Sequence, residues 1–379
     1  MEQLQEKIEP LQKKKINKKR VYSLDMSRGF IVMLSVFLST IPSGGYENLR
    51  HATWYGVTII DLILPSFITI FGTSMAIAYQ RGVSWGKIIK RTIRLVIYGL
   101  LFTIIVSWSF DLSIMRFTGV LQMFAFLGIS AVFITRFIKS PIQLILSALF
   151  LWSLYGGILL YTAQSCEGGL PQEQCNLSGP VDGAIFGENH IYQQGQRGFD
   201  PEGMVTSVAA LGNVLMGFAI GRLILTRKET GAWKELLVLG AVLILFSLIW
   251  DQFLPFNKRL WTPAFAMLAA GTVSIMISVF YLIFDKREVD AKQTGLKPFV
   301  WFLEAYGRNS FLIYFGKFII AAVLTHVTVT ADARTLNSYL LEWVNTLSPF
   351  PQMTYALIML LFWTIVAMVL HKKGRYIKV

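Results

Sequence analysis

Apolar residues fill the chain in runs of about twenty, and polar or charged residues are confined to the connections between them. A run of that length crosses a hydrocarbon layer of ~30 Å at ~1.5 Å per helical residue, so each reads as a membrane-spanning helix. Ten spans are predicted, over about 24–41, 58–79, 91–108, 117–136, 141–162, 204–224, 234–252, 263–284, 306–326 and 353–370. The fold class is all-α, a polytopic membrane protein. The stretch ARTLNSYLLEWVNTL, within the 327–351 connection, reads as a short interfacial helix. No internal repeat stands out. The chain divides into a basic segment 1–22, one membrane domain over 23–371 and a tail 372–379, with long polar connections at 42–57, 163–203 and 327–351.

Charge gives these spans a direction. Lys and Arg cluster in KKKINKKR before the first span and then in alternate connections: RGVSWGKIIKRTIR, TRFIKSP, RLILTRKETGAWK, DKREVDAKQTGLK and HKKGRYIKV. Cytoplasmic connections carry such an excess, which puts both termini in the cytoplasm and the three long polar connections outside. Asn257, Lys258 and Arg259 form a mild exception on the outer side. Only 15% of residues are charged and 54% are hydrophobic, with a mean hydropathy of +0.54. A soluble domain carries about 25% charged residues. The net charge of +13 is explained by membrane anchoring, so no nucleic-acid partner is implied. No cleavable signal peptide is read at the start, because the first apolar run is long enough to remain as a helix.

Several polar residues are out of place in this pattern. Asp61 is expected one turn inside the second span, ~6 Å deeper than the boundary at which His51 lies. A carboxylate at the bilayer centre costs ~2.5–3.5 kcal/mol, so one inside a span should face the protein interior. An imidazole ordinarily titrates in the range that general-base work near neutral pH needs, which makes His51 a candidate base, with Trp54 close by. Whether Asp61 orients it depends on how the intervening loop folds back. A plain polar loop histidine is the competing reading.

Other groups also have two readings. Asp25 and Arg28, spaced i, i+3, form an ion pair at a headgroup anchor, or the mouth of a site for an anion. Lys87, Lys90, Arg91 and Arg94 are membrane anchors, or donors to phosphate. Asp200 and Glu202 cap the sixth span, or bind an amine or sugar hydroxyls. Asn309 bonds across helices. Lys317, mid-span, needs an anion or a wet cavity. Cys166 and Cys175 share one polar loop and would pair in an oxidising compartment. The four histidines lack metal-ligand spacing, so no metal is expected. No Walker loop, dinucleotide fingerprint or GxSxG elbow is present.

Several stretches together resemble the heparan-α-glucosaminide N-acetyltransferase family. They are the opening RxxSxDxxRG, HATWYGVTIIDLILPSF, KIIKRTIRLVIYG, FTGVLQM, GAIFGENHIYQ, FDPEG, PFNKRLWT and GRNSFLIYFG, in the family's order along nearly the whole chain. The resemblance implies a membrane acyltransferase. It takes acetyl-CoA from the cytoplasm and passes the acetyl group to the amine of a glucosamine-type sugar outside. By similarity His51 is the catalytic residue. The chemistry of acyl transfer makes Ser39, Thr40 or Asn309 candidate donors to the oxyanion, and Asp61 is a candidate to orient His51, hold its loop or contact the acceptor's amine. Arg28, Arg91, Arg94, Lys87, Gln122 and Lys317 would hold the donor. Trp54, His190, Asp200 and Glu202 would hold the acceptor. Ser39 and Thr40 stand where animal members have an asparagine, Lys317 where they have histidine, and Met123 where they have arginine. The short basic start suits a bacterial inner membrane. The expected partners are acetyl-CoA, the amino sugar and the lipid bilayer, with a homodimer left open. Two other readings stay open: a transporter of amino sugars or small glycans, and an O-acyltransferase of envelope polysaccharide.

Overall fold

The apolar runs form α-helices and the polar connections form loops in the computed structural model, which describes residues 21–227, 231–285, 297–329 and 334–377. The helices are α1 (Tyr22–Ser39), α2 (Ile63–Ala78), α3 (Trp85–Ser107), α4 (Val120–Phe137), α5 (Pro141–Thr162), α6 (Ser178–Phe186), α7 (Met204–Thr226), α8 (Trp233–Asp251), α9 (Pro263–Phe280), α10 (Lys297–Arg308), α11 (Ser310–His326), α12 (Leu336–Leu347) and α13 (Pro351–Lys372). Pairing of β type is limited, among the described residues, to two isolated bridges. The basic lysines of the first twenty positions and most of the charged connection before α10 lie outside the described residues.

Six helices are long and apolar enough to cross a membrane: α4, α5, α7, α8, α9 and α13. The pair α10–α11, bent by 67°, makes as many as seven. Length and charge keep three others from that class. α2 has 16 residues, α1 begins with Asp25 and Arg28, and α3 begins with Lys87, Lys90, Arg91 and Arg94.

Two expected spans are corrected. The second begins at Ile63 rather than near 58, so Asp61 sits in the turn before α2 and not inside a helix. Its carboxylate accepts backbone N–H groups from Ala52 and Thr58, which holds this stretch in turns. The ninth is broken at Asn309, which leaves helical geometry (φ −104°, ψ 16°). Its Nδ2 donates to the Ala305 carbonyl four residues back, at 3.0 Å, so the side chain bonds locally instead of across helices.

The helices around the edge are apolar on both sides. On α5, Ile142, Leu146, Phe150, Leu154 and Ile158 are exposed at four-residue spacing while Leu144, Ala148, Trp152, Tyr155 and Leu159 are buried. Such a helix suits a position between protein and lipid. α7 is the centre: its most apolar stretch is 72% buried, against 22% for α8 and α13. Small residues make this feasible, because lipid offers no hydrophobic drive between helices and close backbone contact replaces it. A methyl at Gly217 would run into the Thr69 carbonyl of α2, and one at Gly72 into the Val214 carbonyl of α7. Asn213 ties the same region to α9: it donates to the Ala266 carbonyl and accepts from Trp261 Nε1, both at 3.0 Å.

Gly217→Leu is therefore expected to destabilise the fold by about 1–3 kcal/mol through overpacking. Gly157→Ala, with open space at its Cβ, should be neutral or stabilising. Thermal unfolding in detergent compares the two, and equal melting temperatures would contradict the α2–α7 contact.

Candidate active site

Asp61 organises the loop that carries His51. One carboxylate oxygen accepts from Ala52 N (3.1 Å), Thr58 N (3.0 Å) and Thr58 Oγ1 (2.9 Å). The other meets His51 Nδ1 at 2.6 Å. Because a carboxylate only accepts, Nδ1 carries the proton and Nε2 is left as the basic nitrogen. The Gly56 N–H donates to the Phe256 carbonyl at 2.8 Å, which pins this loop to the one between α8 and α9. That contact brings in Lys258. Its Nζ lies 3.0 Å from His51 Nδ1, 3.3 Å from Nε2 and 3.7 Å from the Asp61 carboxylate. The Asp61 side chain is 1% exposed and His51 42%, so the carboxylate is sealed while the ring faces open space.

These contacts set the protonation states. Burial opposes ionisation of Asp61, but the His51 hydrogen bond, the Lys258 charge and the Ala52 N–H outweigh it and hold the carboxyl at about 2. Burial lowers the His51 value. The hydrogen bond to Asp61 pulls it back up, and the charges of Lys258 and Arg259 lower it again, for a net fall. Burial also lowers the Lys258 value, with Asp61 and Glu202 opposing.

His51 opens into a cavity of about 830 Å³ between α1, α2, α3, α4 and α11. A second cavity of about 580 Å³ carries Arg28, Arg91 and Arg308 in its wall. Leu64, Leu121, Tyr314 and Phe315 line both, so the two abut. Volumes of this size fit small-molecule ligands. Two buried donors in these walls lack a hydrogen-bond partner: Arg91 Nε and Gln122 Nε2. Arg28 donates to Ser74 Oγ at 2.7 Å and sits by Asp25; Arg91 donates to the Tyr79 hydroxyl at 3.2 Å.

The expected site residues divide between wall and framework. His51, Ser39, Gln122, Lys317 and Glu202 line the His51 cavity, and Arg28 and Arg91 the other. Lys317 Nζ donates to Ser35 O (2.9 Å), Ser35 Oγ (2.5 Å) and Ser39 Oγ (2.8 Å), so hydroxyls and a carbonyl satisfy it, not an anion. Thr40 Oγ1 is turned back onto the Val36 carbonyl. Asn309 lines neither cavity, and nor do Lys87 and Arg94, which are exposed on α3. Trp54 Nε1 and the Tyr55 hydroxyl both donate to the Pro171 carbonyl, joining two loops. His190 stacks on Phe117 and meets the Met115 carbonyl at 2.8 Å. Asp200 is fully buried and satisfied by Arg116, Thr118 and two backbone N–H groups, so it builds the wall rather than facing the cavity. Cys166 and Cys175 form a disulfide.

Sequence reasoning missed Lys258, Arg116, Arg308 and the glutamines 193 and 194. Lys258 had left a signal: its loop is the one basic connection that runs against the charge asymmetry. Arg308 lies in the GRNS stretch, unmarked because an arginine at a helix end reads as an anchor. Arg116 holds Glu202 at 2.7 Å and its guanidinium sits over Tyr192. Gln193 and Gln194 line the cavity with left-handed backbone (φ 48° and 49°). A non-glycine residue takes that conformation at roughly 1–2 kcal/mol.

Asp61→Asn should lower the His51 pKa further, since the carboxylate is the group that raises it; histidine-resolved NMR titration measures this. It should also cost about 1–3 kcal/mol of stability, from donors left unpaired. An unchanged His51 pKa would show that the pair is not formed.

Comparison with known proteins gives the family. A family model for the catalytic region of heparan-alpha-glucosaminide N-acetyltransferase matches residues 20–238. The chain is 24% identical to the heparan-alpha-glucosaminide N-acetyltransferase of Mus musculus over 425 aligned positions, covering 95% of this chain and 60% of that protein. It is also 24% identical to the Homo sapiens protein of the same name, over 434 positions, again with 95% and 60% covered. The chain thus spans 60% of the length of these curated relatives. The matched stretch holds His51, Asp61, Arg91 and Gln122, and with more than half of the chain inside it, this protein belongs to the heparan-alpha-glucosaminide N-acetyltransferase catalytic family, a family of acyltransferases.

Proposed function

We propose that this protein moves an acetyl group from acetyl-CoA to the amine of a glucosamine-type sugar across a membrane. The abutment of the two cavities carries the reading: a cluster of arginines in one wall, a histidine–carboxylate pair in the other. In this scheme Arg28, Arg91 and Arg308 meet the donor's phosphates, since guanidinium groups match such oxygens with paired donors. The pantetheine arm passes Leu64, Leu121, Tyr314 and Phe315. The unpartnered amide of Gln122 is a free donor to a carbonyl along that route.

At the other end, neutral His51 Nε2 takes the proton from the attacking amine. The C–N bond forms, the C–S bond breaks, and the thiolate leaves with that proton. Asp61 keeps the ring in the tautomer that makes Nε2 the base. Glu202 and Arg116 are placed to meet the acceptor's hydroxyls or amine.

The ten-span reading belongs to the same proposal. The order α1, α2, α3, α4, α5, α7, α8, α9, α10–α11 and α13 supplies ten crossings, with both termini and the arginine cavity on the cytoplasmic face. The disulfide-bearing loop and His51 then lie outside. The membrane is taken to be a bacterial inner membrane, where the interior supplies acetyl-CoA.

Purified protein with radiolabelled acetyl-CoA and a panel of amino sugars tests this. N-acetylated product is expected, and an ester product in its place would show an O-acyltransferase. His51→Ala should lose at least about 10²-fold in kcat as a lost general base. Arg91→Gln should raise KM for acetyl-CoA about tenfold while kcat changes little. Because the base must be unprotonated and its pKa is depressed, the acid limb of kcat should lie below the ordinary imidazole value of 6.5. A limb at or above that value would contradict the assignment to His51.

A further inference from the structure

Three cations line the His51 cavity among the described residues: Arg116, Lys258 and Lys317. Two are already engaged. Arg116 is held by Asp200, Glu202 and Thr118. Lys317 spends its three N–H donors on Ser35 and Ser39. Lys258 differs. Its nearest groups are the His51 ring nitrogens, at 3.0 and 3.3 Å, and the Asp61 carboxylate at 3.7 Å, beyond ordinary hydrogen-bond length. A group nearly equidistant from both ring nitrogens cannot lie in the ring plane without striking the carbon between them. It lies over the ring and is aligned with neither lone pair. His51 Nε2 thus stays open to a substrate, and the ammonium keeps donors to give.

We propose that Lys258 is a catalytic residue whose ammonium donates to the acyl oxygen of the thioester as negative charge develops there. The role rests on the acetyl-transfer reading above. A base that takes the amine's proton through Nε2 places the amine, and so the acyl carbon it attacks, beside the ring. A donor held against the same ring is then within reach of the carbonyl oxygen. As the C–N bond forms, the carbonyl's π electrons move onto oxygen and Lys258 stabilises them. When the C–S bond breaks the pair returns, the thiolate takes the proton from His51, and Lys258 ends as charged as it began. No further reactant is required. Asp61, with its carboxylate 3.7 Å from the ammonium, holds the lysine electrostatically at more than hydrogen-bond length. The groups facing His51 are Asp61, Lys258 and Arg259. Removing Lys258 therefore also removes a charge that lowers the imidazole's pKa.

The test uses the full chain in detergent, with acetyl-CoA and the acceptor that the wild type uses best. Lys258→Met should lower kcat by about 10²–10³-fold, the loss seen when an oxyanion donor is removed. KM for acetyl-CoA should stay within about twofold, and the acid limb of kcat should move to higher pH. Lys258→Arg should recover at least about a tenth of the wild-type rate, as a conservative cation would. An acetyl-CoA-dependent thermal shift reports that each variant is folded. If Lys258→Met has lost it, the comparison passes to Lys258→Gln and Lys258→Arg: a glutamine variant far below the arginine one supports the role, and equal rates overturn it. A methionine variant with kcat near wild type removes the role while leaving the acetyl-transfer reading intact. So does a loss of rate with no movement of the acid limb and no rescue by arginine, which marks a merely structural lysine. A wild type that acetylates none of the acceptors removes the parent reading and this role together.

Discussion

The buried carboxylate of Asp61 is the interaction on which the site depends. It sits in the turn before α2 with almost no exposure, accepting from two backbone N–H groups, a hydroxyl and an imidazole. Each contact offsets part of the cost of burying a charge, and each fixes a separate element. The Ala52 and Thr58 bonds shape the loop, the His51 bond sets the ring's tautomer, and Lys258 is drawn in from the α8–α9 loop. One carboxylate thereby joins segments about two hundred residues apart, His51 and Lys258 being separated by 207 positions.

The scaffold beneath keeps that group rigid by close backbone packing. α2 meets the buried α7 through Gly72 and Gly217, and Asn213 with Trp261 joins α7 to the segment that also carries Lys258. The α8–α9 loop is thus anchored from below by a buried hydrogen bond and from the side by the Gly56–Phe256 backbone bond. A shift of either helix would separate the ammonium from the ring. The opposite wall is built in the same manner. Asp200 and Arg116 lock the loops before α4 and α7, and this leaves Glu202 and the strained glutamines 193 and 194 facing the cavity.

Much of the fold was legible in the order of residues, for a local reason. Helix existence follows from apolar runs of membrane length. The misreadings were also local in cause. Asp61 and Asn309 carry short side chains that bond nearby backbone groups, so Asp61 delays the start of one helix and Asn309 breaks another that hydropathy alone would have continued. In the candidate site, residue type picked out His51 and Arg91, which line the cavities, while Trp54, His190 and Asp200 bond to neighbouring loops and line neither. A polar residue near a cavity looks the same in sequence whether it faces the space or holds the wall.

By itself, then, the chain's order of residues determined a helical membrane protein with a histidine in a polar loop, basic residues in alternate connections and collinear motifs of an acyltransferase family. Hydropathy and charge act residue by residue against lipid and water, and they leave a periodic trace. Tertiary structure decided which of the unusual residues meet. It closed His51 onto Asp61, set Lys258 over the ring, gathered Arg28, Arg91 and Arg308 around one cavity and sent Asn309 to its own helix. Those outcomes depend on side-chain directions and on contacts between distant segments. No pattern along the chain records them, because they exist only once the helices have packed.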